Sequence, residues 1–442
     1  MATGSGRVGY VPRGATASAI AAEVERAVRE GEIEVGERMP SIRMVASEAG
    51  VSPATVASAY RVLRQRGLLL TEGTRGMRVS ARPTGIARPV LHVPAGVRDL
   101  CNGNPDPAFL PPLRWGMDEA LTSSRLYGES TAYEPLLERS AADFASAGVD
   151  PGCQFVASGA MDAIERLLEV HLHPGDRVVV EDPTYAELLD LLRALQFDVV
   201  GVGVHDDGPD LEALAGALGQ ARCLIITPRA QNPTGAVLSA SKADALKALL
   251  ERQPEVLVIE NDHSADGTPV ASTAGSTDRW AVVRSVSKLL SPDLRLAVVA
   301  GDRATVNSVE DRQLLGAGWV SHILQKLTYR LWTDPRAPEL LGRAATSYGV
   351  RRQALISALA GHGLAARGAS GLNVYVEVRE EATVAQSLLA SGWAVRTGEG
   401  YRVESRTPFL RVTAATLTEA ESSRFANDLS AITRSSVRSR RG

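Results

Sequence analysis

The 442 residues carry 48 lysines and arginines against 51 aspartates and glutamates, a net charge of −3, with 44% hydrophobic and 22% charged residues. That length exceeds one ordinary core and calls for two or three domains, and that composition belongs to a globular protein, not a disordered or fibrous one. No apolar run approaches the ~20 residues needed to cross a bilayer, residues 1–14 lack the apolar stretch of a secretory signal, and Cys101, Cys153 and Cys223 form no CxxC pair and no metal-ligand spacing; a cytoplasmic protein with reduced thiols, no membrane partner and no metal is expected.

The net charge hides an asymmetry. Residues 1–80 hold eleven arginines and eight glutamates, an excess of three positive charges, which leaves −6 for the remainder. A basic end on an acidic body is what a chain with one phosphate-facing part would have. Lysine occurs only four times, at 242, 247, 288 and 326, so each one merits inspection.

In chain order, residues 17–30 place Ile20, Val24 and Val28 at helical spacing and end at Gly31. Residues 36–41 read as a turn, after which Ser41 can cap a helix over 42–49 closed by Gly50. Ser52 caps a third helix with Pro53 in its first turn, where the missing N–H costs nothing, and the helix runs through Val56, Tyr60 and Leu63 to Gly67. Two short strands, 68–72 and 77–80, flank Gly73-Thr74-Arg75-Gly76. Helix, turn, helix and a glycine-tipped hairpin make a winged helix-turn-helix.

The run Gly36-Glu37-Arg38-Met39-Pro40-Ser41-Ile42-Arg43, continued by 50–60, resembles the GntR family of transcription regulators. The resemblance implies that the third helix enters the major groove of double-stranded DNA, with Ser41, Arg43, Ser52, Thr55, Tyr60 and, on the wing, Arg75 as contact residues. It also exposes a departure: the family usually has arginine where Pro53 stands. Arginine makes the commonest bidentate contact to guanine, so base readout is expected to shift toward Arg43, the wing and phosphate contacts.

Residues 81–97, with Pro83, Pro89 and Pro94, read as an extended linker. The expected domains are therefore a DNA-binding head over 1–80, a linker over 81–98 and a large body over 99–442. In the body, strands are expected at 155–157, 177–180, 199–202, 223–227, 256–260, 281–286 and 296–300. Helices are expected at 161–170, 186–195, 210–218 and 239–250. This alternation predicts an α/β fold, a mainly parallel sheet with helices on both faces. A smaller α+β lobe follows, with elements at 374–378, 383–390 and 409–412.

Ligands of such sheets bind beyond the carboxyl ends of the strands. There the sequence has Ser158-Gly159-Ala160, then Tyr185, then Asn232-Pro233-Thr234-Gly235, then Asn261-Asp262-His263, then Ser285-Val286-Ser287-Lys288 with Arg295 seven residues on. Together these resemble the fold-type-I aminotransferases, from residue 102 to near the C-terminus. The resemblance implies pyridoxal 5'-phosphate (PLP) in a Schiff base on Lys288. Ser158, Gly159, Ala160, Ser285 and Arg295 would surround its phosphate, and Tyr127 would reach the phosphate of a partner subunit. Tyr185 would stack on the ring and Asn232 would donate to the ring oxygen. Arg411 would grip an amino-acid carboxylate. A lysine amine must lose its proton to attack an aldehyde, and a planar guanidinium suits both phosphate and carboxylate.

A second departure concerns the ring nitrogen. The family places an aspartate against it and a tyrosine near the ring oxygen; here Asn261 and His263 align at those positions and Asp262 is one place off. An aspartate keeps the nitrogen protonated, so that the ring acts as an electron sink. Asn261 cannot, so held cofactor with poor turnover is expected unless Asp262 shifts into place. A GntR-type head on an aminotransferase-like body resembles the MocR subfamily, which implies a head-to-tail homodimer sensing PLP or a small amino-acid-like effector. The alternatives are an active aminotransferase tethered to DNA by its head, and a cofactor-free regulator whose body only dimerises.

Overall fold

The computed structural model describes residues 10–34, 36–65, 68–71, 76–79, 93–263 and 267–438. The chain splits into two compact units, Met1–Pro89 with the segment Leu192–Phe197, and Val90–Leu191 with Asp198–Gly442.

The head contains α1 (Ala17–Arg29), α2 (Ile42–Ala49), α3 (Pro53–Gln65), β1 (Leu69–Thr71) and β2 (Met77–Val79). Each helix starts where a side-chain oxygen takes an otherwise orphaned N–H. Thr16 accepts from Ala19 N, Ser41 from Met44 N, and Ser52 from Thr55 N at 3.1 Å. Gly50 closes α2 in the left-handed region, φ 65°. Ile20, Val24, Val45, Val56, Tyr60 and Leu63 close over Leu69 and Val79 as a small core. The strands pair antiparallel, Leu69 opposite Val79. The wing tip at 72–75, with Arg75, lies outside the described residues, as do linker residues 80–92.

The body follows as β3 (Arg98–Asp99), α4 (Met117–Ala120), α5 (Glu134–Ser146), β4 (Cys153–Ala157), α6 (Ala160–His171), β5 (Arg177–Asp182), α7 (Ala186–Ala194), β6 (Asp198–His205), β7 (Gly208–Pro209), α8 (Leu211–Leu218), β8 (Cys223–Ile226), α9 (Ala240–Leu250), β9 (Leu257–Asp262), β10 (Arg279–Ser285), β11 (Ala297–Gly301), α10 (Arg303–Leu314), α11 (His322–Thr333) and α12 (Ala337–Ala360). The smaller lobe has β12 (Ala366–Arg367), β13 (Asn373–Glu377), α13 (Glu381–Ala390), β14 (Trp393–Ala394), β15 (Arg396–Thr397), β16 (Phe409–Thr413) and α14 (Glu419–Arg438). Every strand and helix anticipated in the body exists within two or three residues of its expected bounds. The sequence reading did not place α4, α5, α10, α11, α12 or α14, nor the short strands β3, β7, β12, β14 and β15.

The main sheet has the order β4-β11-β10-β9-β8-β5-β6-β7. β10, β9, β8, β5 and β6 run parallel, and β11 runs antiparallel to both β10 and β4. Valine, leucine and isoleucine fill these strands because both faces are covered; Val178–Val180, Leu257–Ile259 and Ala297–Ala300 are buried. The smaller lobe is an antiparallel sheet, β12-β13-β16-β15, packed through Val374, Val376, Leu410 and Val412 onto Leu355 and Phe425. Among the described residues no helix is long and apolar enough to cross a membrane.

Candidate cofactor pocket and DNA-facing helix

Parallel strands deliver their carboxyl ends to one edge of the sheet, and β11, running the other way, starts at that same edge. The residues that leave β4, β5, β8, β9 and β10, and Arg295 just before β11, therefore line one cavity.

At one end is an anion cradle. Gly159 precedes α6 with φ 100° and offers no side-chain cap, so the first N–H groups of the helix face the cavity. A Cβ at residue 159 would come 3.2 Å from Arg295 Nη2 and would have to push the guanidinium aside, and φ 100° is itself strained for other residues. Ser285 Oγ lies 2.9 Å from Ser287 Oγ and accepts from Ser287 N at 3.2 Å; both serines line the cavity. Ser158 does not line it; its N–H donates to Asp162 at 2.9 Å, which also binds Arg166.

Lys288 is half-buried in the middle, its Nζ donating to Gly103 O at 2.7 Å. Burial, with Arg411 nearby, lowers its pKa from 10.5 to about 8. His263 beside it is pushed down to about 4 by burial and by Lys288, so its imidazole is neutral at pH 7. Burial raises the Tyr185 phenol, which stays protonated.

Two buried asparagines face the same space. Among the described residues Asn232 Oδ1 and Asn261 Oδ1 have no hydrogen-bond partner, which a buried amide oxygen tolerates poorly. The turn that carries Asn232 is held by its neighbours: Gln231 Nε2 donates to Pro183 O at 2.7 Å, and Gln231 Oε1 accepts from Thr234 Oγ1 at 2.6 Å. Asp262 corrects the sequence reading. Side chains alternate along a strand, so while Asn261 faces the cavity, Asp262 turns to the other side. It is 1% exposed and bound by Arg229 at 2.9 and 3.0 Å and by Arg284 at 3.0 Å. Burial alone would raise its pKa; the two guanidiniums lower it below the ordinary value.

The opposite wall comes from the smaller lobe. Arg411 on β16 is 4% exposed, donates to Cys101 O and leaves its Nε without a partner among the described residues. Sequence reasoning missed Arg396 on β15, which also lines the cavity and donates to Cys101 O at 3.3 Å. It missed Tyr401 and Glu187 as well. Only the β15–β16 register, Arg396 opposite Arg411, joins the two guanidiniums; nothing local in the sequence signals it. Tyr127 does not line this cavity. It is 93% exposed, with its ring edge-on to Trp319 at 5.6 Å.

In the head, Arg43, Ser52, Pro53 and Ala54 are exposed at the start of α3 and beside it, with Met44 53% exposed. Ser41 and Ser52 act as helix caps, and Ser52 Oγ also meets Thr55 Oγ1 at 2.9 Å. Tyr60 is a second correction. It is 1% exposed and donates to Pro40 O at 3.0 Å, so it ties α3 to the turn before α2 and does not face outward.

Residues 16–79 match the gntR family of bacterial regulatory proteins, and residues 99–429 match aminotransferase class I and II. Over 424 residues, 94% of this chain and 98% of the relative, the sequence is 39% identical to the vitamin B6 salvage pathway transcriptional repressor PtsJ of Salmonella typhimurium. It is 26% identical over 62% of its length to the pyridoxine biosynthesis transcriptional regulator PdxR of Corynebacterium glutamicum, of which it covers 63%. The structure of kynurenine aminotransferase from Pyrococcus horikoshii superposes with a TM-score of 0.70 at 20% identity, over 77% of this chain and 92% of that one, which shows the fold. With a gntR-family head and an aminotransferase class I and II body, the chain belongs to the MocR subfamily of regulators.

Proposed function

We propose that this protein is a transcription regulator that binds double-stranded DNA through its head and holds PLP in its body as the sensing group. The observation that carries this reading is the convergence, in one cavity, of an amine with a lowered pKa, an anion cradle and two asparagine side chains. When bound, PLP supplies an aldehyde that an amine can capture and a conjugated ring that can draw electrons from it. Lys288 Nζ would take the aldehyde, and Arg295, Ser285, Ser287 and the start of α6 would hold the phosphate. Asn232 would donate to the ring oxygen and Tyr185 would cover the ring. Asn261 can hydrogen-bond the ring nitrogen but cannot keep it protonated, which favours sensing over sustained transamination. The head spans 1–80, the linker 81–98 and the body 99–442.

The active unit is a homodimer, head-to-tail. Leu121, Leu126, Tyr127, Leu314, Leu315 and Ile323 are exposed apolar residues; the bond from Lys326 to Ser123 O at 3.0 Å ties the 121–127 segment to α11, and Tyr127 against Trp319 ties it to the stretch that follows α10. Such a patch suits a self-complementary interface, and a second copy would carry Tyr127 to the partner's phosphate. Ligand on Lys288 alters DNA affinity by the difference in its affinity for two states of the protein. A DNA-binding role puts the protein in the cytoplasm.

The test is the visible absorption spectrum with and without added PLP, beside Lys288→Ala, followed by DNA-binding titrations of both proteins. The expected result is a visible band and a PLP-dependent change in DNA affinity, both lost in the variant. A DNA response to PLP that survives loss of Lys288 would overturn the reading.

A further inference from the structure

With Arg295 at the phosphate cradle and Lys288 at the aldehyde, the cavity keeps two further guanidiniums, Arg396 and Arg411, where one carboxylate needs a single one. Its lining includes Lys288, Arg295, Arg396 and Arg411, against one acid among the described residues, Glu187. Glu187 sits by Tyr185 and Lys288, where it acts on both. Among the described residues neither Arg396 nor Arg411 pairs with a carboxylate. Both point instead at the carbonyl of Cys101, a neutral acceptor shared by two cations.

The register makes this arrangement costly. Arg396 and Arg411 lie directly opposite on antiparallel strands, so their Cβ atoms project from the same face roughly 5 Å apart. Like charges so placed repel, and the repulsion grows as they are buried. Arg411 is 4% exposed and its Nε is buried without a partner among the described residues. Removing one charge, or adding anionic groups between the two, relieves the repulsion. A guanidinium pair with an open donor is built for anions, and carboxylates match its planar fork.

Resting on the reading of this cavity as a PLP site, we infer that its effector is a dicarboxylic amino acid. Arg411 takes one carboxylate and Arg396 the other, while the amino group faces Lys288. Arg295 and Ser285 remain with the phosphate. The inference names a ligand class and a specificity residue, Arg396, that lies outside the local motifs of the body. A neutral amino acid would leave Arg396 facing only a carbonyl and would bind more weakly by the value of a charge-assisted bond.

The experiment titrates PLP-loaded full-length protein with L-aspartate, L-glutamate, L-asparagine and L-glutamine and follows the visible band. Each acid and its amide match in size and differ in one negative charge. The expected result is half-saturation by at least one acid at roughly tenfold lower concentration than by its amide. Arg396→Gln should collapse that ratio toward one, and Arg396→Lys, which keeps the charge, should restore most of it. Equal response to acid and amide in the unaltered protein would overturn the inference, because both guanidiniums would then serve one carboxylate. A preference that survives Arg396→Gln would overturn it equally. Failure of the PLP reading looks different: no Lys288-dependent band forms before any amino acid is added. If Arg396→Gln does not fold, the acid-to-amide ratio of the unaltered protein still decides.

Discussion

In the proposed reading the chemistry turns on Lys288, and its protonation should set a measurable rate. With its pKa lowered to about 8 by burial and by Arg411, the amine becomes neutral near pH 8 instead of 10.5. The rate at which the visible band forms on mixing with PLP should climb with pH through a midpoint at about 8 and level off roughly one unit higher. In Arg411→Gln the midpoint should move to higher pH, because a cation that disfavours Lys288–NH3+ is gone. Stopped-flow absorbance across pH reads both. Glu181 gives a stability prediction with the opposite sign from an ordinary ion-paired acid. Burial raises its pKa from 4.5 to about 8, with Gln231 and Thr227 hydrogen bonds opposing. The folded protein then keeps a proton that the unfolded chain releases above 4.5, so this group's contribution is complete in acid and is lost as pH rises through about 8. Glu181→Gln should flatten that part of the fall, as thermal melts across the range would reveal.

At the scale of elements, β9 shows how one step along a strand separates two roles. Asn261 faces the cavity and Asp262 is locked between Arg229 and Arg284. The residue pair was visible in the sequence, but which member faces the ligand was not, since the alternation has no absolute phase until the sheet is packed. Tyr60 is the converse case: its spacing with Val56 and Leu63 is that of a buried helix face, and the structure puts it in the head's core. The start of α3 and Arg43 remain as the outward face. Arg43→Ala should weaken DNA binding; if Arg43 contacts a phosphate, the slope of log affinity against log salt should fall by about 1, with the loss spread evenly over sequences. If it reads a base, the loss of about 1–3 kcal/mol should be confined to the cognate site. Fluorescence anisotropy at several salt concentrations separates the two.

At the scale of the molecule, the exposed apolar patch predicts the assembly. Leu315 is 84% and Leu126 67% exposed, and covering them is worth about 1.5–3 kcal/mol each. Leu126→Arg with Leu315→Arg should shift sedimentation from dimer to monomer. Because Tyr127 borders the same patch and does not line its own chain's cavity, the monomer should also hold PLP less tightly. Dimers that persist in the double variant would place the interface elsewhere.

Much of this was legible in the chain itself. Helix caps at Ser41 and Ser52, the alternation of strands and helices, and the spacing of Asn232, Ser285, Lys288 and Arg295 are local features, set by hydrogen-bond capping and by the βα repeat that brings every strand end to one edge. The sequence also determined the two-part build and the asparagine where the family has an aspartate. What only tertiary structure decided are relations between residues far apart in the chain. These are the Arg396–Arg411 pair across β15 and β16, the carbonyls of Cys101 and Gly103 drawn over the cavity, and the burial that lowers Lys288. Strand register and desolvation are properties of the packed sheet, and no stretch of chain carries them alone.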